Sequence, residues 1–149
     1  MRFNYDYANC WLRAGVDTSR EKSYMNREVV YTDKGSNLPI YSQAIKAAGL
    51  IFIAGQGPFH PATGEIFGET IQEQTRQCLT NVSSILSAAG SSMSKVVSAT
   101  FILAEESDFP GMNEEWSTWF PVNPPARLGA KLPIRPKGMK VSIAAIAEA

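Results

Sequence analysis

The strongest period along this chain is helical. Ile71, Thr75, Cys78, Leu79, Val82, Ile85, Leu86 and Ala89 recur at spacings of three and four, so they share one face of a helix. Gln72, Arg76, Gln77, Asn81 and Ser84 fall on the opposite, polar face. Thr70 and Glu73 have the spacing of a capping box, in which each side chain satisfies the other's free backbone N–H. Gly90 stands where a left-handed residue would end the helix. A second helix is expected over 107–120, capped by Ser107 or Asp108, with Pro110 in its first turn. Phe109, Met112, Trp116, Trp119 and Phe120 would share its apolar face, and the PVNPP segment would stop it.

Elsewhere the pattern is that of strands. They are expected at 28–32, 42–46, 50–54, 95–106, 126–132 and 139–147. The second and third form a hairpin hinged near Ala48 and Gly49. The third is nearly all apolar, as for a strand buried on both faces. Residues 57–68 carry the Pro and Gly of a loop. The order β-β-β-α-β-α-β-β predicts an α+β fold, a sheet with two helices packed on one face.

Residues 1–26 show no steady period and read as an N-terminal extension to a domain over 27–149. Tyr5, Tyr7 and Trp11 are more aromatic than disordered tails usually are, and Met25 would serve as an initiator. The segment lacks the apolar stretch of a secretory signal. Asp6, Asp17 and Glu21 interrupt a mitochondrial presequence pattern, so the expected location is cytoplasmic. No apolar run is long enough to span a bilayer as a helix.

Composition narrows the chemistry. The 149 residues suit one domain, and 14 Lys plus Arg balance 14 Asp plus Glu. Zero net charge gives no global attraction to nucleic acid or anionic membrane, and it leaves little repulsion to oppose self-association. Two cysteines and a single His60 make neither a disulfide framework nor a zinc site of usual composition. Cys78 falls on the apolar stripe and reads as a buried thiol. Glu105, Glu106 and Asp108, with Glu114 and Glu115 nearby, read as a solvated acidic turn able at most to hold a hard cation loosely. His60 reads as an exposed loop residue, and Lys131, Arg135, Lys137 and Lys140 as a solvated basic edge.

Several segments together resemble the Rid family, also called the YjgF or L-PSP endoribonuclease-like family. They are IYSQAIKAAGLIFIAGQ, PATGEI, EQTRQCLTNVSSILSAAGSSMSKVV, MNEEW and PPARLGAKLPIRPKGMKVSIAAIA. The likeness runs from about Glu28 to Ala147. It implies a chorismate-mutase-like fold, a homotrimer and three ligand clefts between subunits. It also implies a 2-iminobutanoate/2-iminopropanoate deaminase activity, which hydrolyses reactive 2-imino acids or their enamine tautomers to 2-keto acids and ammonia. No cofactor is implied, so the expected partners are a small 2-imino or 2-keto carboxylate and further copies of the chain.

A carboxylate is best held by the planar, permanently charged fork of arginine. By the resemblance Arg127 is that fork. Tyr41 lines the cleft, Gly55 brings its backbone to the ligand, Asn113 lines the site from the second helix, and Gly129 presents a carbonyl to the attacking water. Two departures stand out. The family's glutamate on the last strand is Ser142 here, with Ala144 at the neighbouring acidic position, and Ala54 replaces a frequent serine. Ser142 can orient water but is a poor base at neutral pH.

These departures keep a second reading open, a binding module that grips small carboxylates without turnover. A role in modulating a protein partner through residues 1–26 is a third. An endoribonuclease or translation inhibitor is a fourth, with zero net charge and no basic, aromatic platform counting against it.

Overall fold

The computed structural model describes residues 27–35, 39–131, 134 and 136–149. Its elements are β1 (Glu28–Val30), β2 (Ala44–Ala47), β3 (Leu50–Gln56), α1 (Ile71–Ala88), β4 (Val96–Leu103), α2 (Phe109–Trp119), β5 (Ala126–Lys131) and β6 (Val141–Glu148). Short 3-10 turns, Met93–Lys95 and Glu106–Asp108, lead into β4 and α2. The expected element order holds. The strands form one sheet in the order β1-β2-β3-β6-β4-β5. Neighbours are antiparallel except β4 and β5, which run parallel. A parallel pair needs a crossover, and α2 supplies it.

Helix α1 forms as its pattern predicts. The Thr70 hydroxyl accepts from the Glu73 N–H at 3.2 Å, and the Glu73 carboxylate accepts from the Thr70 N–H at 3.0 Å. These backbone hydrogen bonds hold the Glu73 carboxyl below its ordinary pKa. Gly90 takes φ +78°, and Gly90 and Ser91 donate to the carbonyls of Ser87 and Leu86. That is a Schellman ending. All eight residues of the predicted apolar face are buried. Each large one contributes about 1.5–3 kcal/mol by leaving water. Burial also raises the pKa of the Cys78 thiol and keeps it neutral and unreactive.

The polar face differs from its expectation at Asn81, which is fully buried. Its amide donates to the carbonyls of Gly57 and Phe59 at 3.1 and 3.0 Å. Gln74, also buried, donates to Gly68 and Gly138 and accepts from the Lys140 N–H at 2.8 Å. These two amides tie α1 to the loops before it and before β6.

One sheet face carries α1 and α2; among the described residues no element packs on the other. Ala44, Ile51, Ile53, Ala145 and Ala147 pack under the end of α1, and Ala99, Phe101, Leu103, Val141 and Ile143 under α1 and α2. The expectation that β3 is buried on both faces is therefore corrected. Phe52 is 42% exposed, because the helices cover only the side of Ile51 and Ile53. Strand ends shift by a few residues: β1 and β4 stop earlier than predicted, β3 runs on to Gln56, and the predicted end of β5 at Leu132 lies outside the described residues. So does the extension over 1–26.

Helix α2 begins two residues late and without the expected side-chain cap. Asp108 occupies the N-cap but makes no capping bond, and its carboxylate instead lies 3.8 Å from the Lys140 ammonium. Pro110 sits in the first turn as expected. Glu115, placed above near a solvated acidic turn, is buried. It accepts two bonds from the Arg76 guanidinium, at 2.6 and 3.0 Å, and one from the Trp119 indole at 3.0 Å. The Arg76 bonds hold its carboxyl below its ordinary pKa.

Two outcomes follow for stability. Ala48 opens the β2–β3 turn at φ 53°, a left-handed conformation that costs an L side chain about 1–2 kcal/mol. Ala48→Asn should raise unfolding free energy by about 0.5–1 kcal/mol in urea melts. Glu115 has a folded-state pKa below its unfolded value of about 4.5, so its contribution is present above that value and is lost as pH falls through the lower folded one. Glu115→Gln should lower the thermal midpoint at pH 7, and the gap to wild type should close in melts taken progressively below pH 4.5.

Candidate functional site

Register decides where Arg127 points. On β5, Arg127 lies opposite Ala99 and Gly129 opposite Phe101, both core residues of the helix-covered face. Arg127 and Gly129 therefore face the helix side. The Arg127 guanidinium carbon lies 5.3 Å from the Phe101 ring, 5.3 Å from Trp116 and 5.8 Å from Phe109. Three aromatic faces thus hold one cation, each contributing about 0.5–1 kcal/mol where exposed. No carboxylate pairs with Arg127 among the described residues. Its fork is oriented and, among the described residues, carries no ion pair.

The guanidinium borders a cavity of about 570 Å³, lined also by Phe101, Leu103, Glu106, Phe109, Pro110, Gly129 and Lys131. That volume suits a small organic ligand. Gly129 has a steric reason to be glycine: a methyl group there would overlap the Phe101 ring. Asn113 lies one helical turn from both Phe109 and Trp116, on the face of α2 that meets Arg127. Its side-chain oxygen is buried with no hydrogen-bond partner in this structure. A buried orphan acceptor of this kind calls for a donor.

The other site residues of the sequence reading gather elsewhere. Ser142 on β6 and Ala54 on β3 alternate with buried neighbours and so lie on the uncovered face. Gly55 joins them, since a methyl group there would stand 3.1 Å from the Ser142 hydroxyl. A register shift between Ile53 and Gln56 frees this stretch from regular pairing with β6. Buried Gln56 spans it, donating to the Ala54 carbonyl at 3.1 Å. Tyr41, 38% exposed before β2, does not line the Arg127 cavity. Within one chain, then, Arg127 and Gly129 share the cavity wall, while Asn113, on the α2 face of Phe109 and Trp116, is not among its lining residues. Gly55, Ala54 and Ser142 form a second group on the opposite face, with Ser142 two strand spacings from β5, about 10 Å, and Ala54 and Gly55 three, about 15 Å. Sequence reasoning found both groups but not their separation.

The remaining candidates are quiet. Among the described residues, no cluster of His, Cys, Asp and Glu could hold a metal ion. Glu105 lies 3.7 Å from Lys131. His60 is exposed near Phe67, and Arg135 lies outside the described residues. Among the described residues no helix is long and apolar enough to cross a membrane.

A sheet backed by two helices on one face, with an arginine held by three rings at its parallel edge, defines an α+β protein. A family profile described as Endoribonuclease L-PSP matches residues 36–149. The chain belongs to that family, the Rid proteins. It is 44% identical over 123 residues to a RutC family protein of Pyrococcus horikoshii, covering 81% of this chain and 97% of the relative. It is 36% identical over 122 residues to the 2-iminobutanoate/2-iminopropanoate deaminase of Rattus norvegicus, covering 81% and 89%. Among solved structures, RidA from an Antarctic Psychrobacter superposes with a TM-score of 0.77 at 33% identity, covering 82% of this chain and 99% of that one.

The overlap at Gly129 gives a test of this geometry. Gly129→Ala should push Phe101 aside and unseat the ring beneath Arg127, at a cost of about 1–3 kcal/mol in chemical denaturation. Near-ultraviolet circular dichroism should report the disturbed aromatic packing.

Proposed function

We propose that this protein is a cofactor-independent deaminase of small 2-imino acids, working as a homotrimer with Arg127 as the carboxylate fork. The observation that carries the reading is the Arg127 guanidinium, held by three rings, paired with no acid among the described residues and facing the cavity. A 2-imino acid presents a carboxylate to that fork and an electrophilic C=N carbon beside it. Deaminase relatives share over a third of the sequence across most of the domain.

The two separated groups of site residues fit a cleft that closes only between copies. The uncovered sheet face exposes Val29, Phe52 and Leu128 and carries no charge at its central positions, as expected of an interface. A second copy set there would bring its own Arg127 edge toward Gly55, Ser142 and Tyr41.

Ammonia and 2-ketobutyrate release from freshly generated 2-iminobutyrate tests this reading. Wild type should exceed the uncatalysed rate, Arg127→Ala should fall to background, and sedimentation should give three times the 16.3 kDa chain mass. Background rates in both proteins would overturn it. A second reading has its own support: no carboxylate stands on the β6 face at Ser142 or Ala144. Under it, 2-ketobutyrate binds wild type, fails to bind Arg127→Ala, and no imino acid is turned over.

A further inference from the structure

The Arg127 cavity contains a carboxylate of its own. Glu106 is the one acidic residue among the described residues that line it. It sits in the 3-10 turn after β4, and its carbonyl accepts from the Phe109 N–H. Phe109 in turn lays its ring 5.8 Å from the Arg127 guanidinium carbon. One tight turn therefore sets Glu106 beside the wall that holds the arginine. Lys131, on the same wall, is engaged by Glu105 at 3.7 Å. The Glu106 carboxylate makes no hydrogen bond or ion pair among the described residues.

From this arrangement we propose that Glu106 is the general base of the site, a catalytic residue in place of the acid that β6 lacks at Ser142 and Ala144. The assignment rests on the deaminase reading above. With the substrate carboxylate on Arg127, a water between the C=N carbon and Glu106 gives its proton to the carboxylate as its oxygen bonds to carbon. The π pair of the iminium moves to nitrogen, which leaves a neutral carbinolamine. Glu106 then returns the proton to that nitrogen. The C–N bond breaks as a lone pair on oxygen forms the carbonyl, and the hydroxyl proton leaves with ammonia as ammonium. Iminium acid and water become keto acid and ammonium, and Glu106 ends as it began. The acid comes from the same chain as the arginine, so the two stay in fixed relation whatever the neighbouring copy contributes.

Glu106 is exposed, so its replacement should leave folding intact. Glu106→Gln should lower kcat on 2-iminobutyrate by about 100-fold, the usual scale for a lost general base. Affinity for 2-ketobutyrate should stay within about threefold of wild type, because the Arg127 fork is untouched. The acid limb of the pH–rate profile should vanish in Glu106→Gln, and Glu106→Asp should keep the limb with reduced turnover. If Glu106→Gln turns over within about threefold of wild type, the Glu106 assignment falls and the deaminase reading stands. If wild type itself shows no turnover, both fall.

Discussion

The parallel pairing of β5 with β4 is the constraint on which the site depends. Side chains on a strand alternate between faces, so a slip of one residue would move Arg127 from the aromatic side to the uncovered side. The pairing of Ala99 with Arg127 and Phe101 with Gly129 prevents this, since only glycine leaves room for the Phe101 ring. Crossover helix α2 completes the arrangement. The same helix that allows β5 to run parallel also brings Phe109 and Trp116 to the guanidinium. Fold topology and the seating of Arg127 among its three rings are thus consequences of one register.

Around that register the molecule is held by buried polar contacts more than its apolar pattern suggests. Asn81 and Gln74 emerge from α1 into places a plain amphipathic helix would fill with aliphatic groups. Each satisfies backbone carbonyls of loops that have no ladder partner of their own. A buried carbonyl left unpaired would cost about 1–3 kcal/mol, so these amides set the loop paths as well as stabilising them. Glu115 joins the two helices in the same way, through Arg76 and Trp119. The consequence is a helix layer tied together behind a sheet whose other face no described element covers.

Some of this was legible before any coordinates. The Thr70 and Glu73 box, the eight-residue apolar face of α1, Gly90 and the Ala48-Gly49 hinge all act over a few residues, and each is found as read. Arg127 and Gly129 were identified by their motif and do share a cavity wall. The misreadings involve partners far away in sequence. Asp108 has the type and place of a cap, yet the Lys140 ammonium lies beside its carboxylate. Glu115 sits among other acids, yet Arg76 meets it from another helix. Phe52 lies in an apolar strand, yet among the described residues no element covers it.

The sequence by itself therefore determined the elements, their order, the ends of α1 and the permanent charge at Arg127. These follow from side-chain period, backbone capping and the fixed charge of a guanidinium, which depend on near neighbours or on none. Only the tertiary structure decided that Arg127 and Ser142 stand on opposite faces. It also decided that three rings orient the arginine and that Glu106, one of several acids in a turn, borders the same cavity. Those facts depend on strand register and on which sheet face the helices cover. Both are settled by packing between residues far apart along the chain, where sequence spacing carries no distance information.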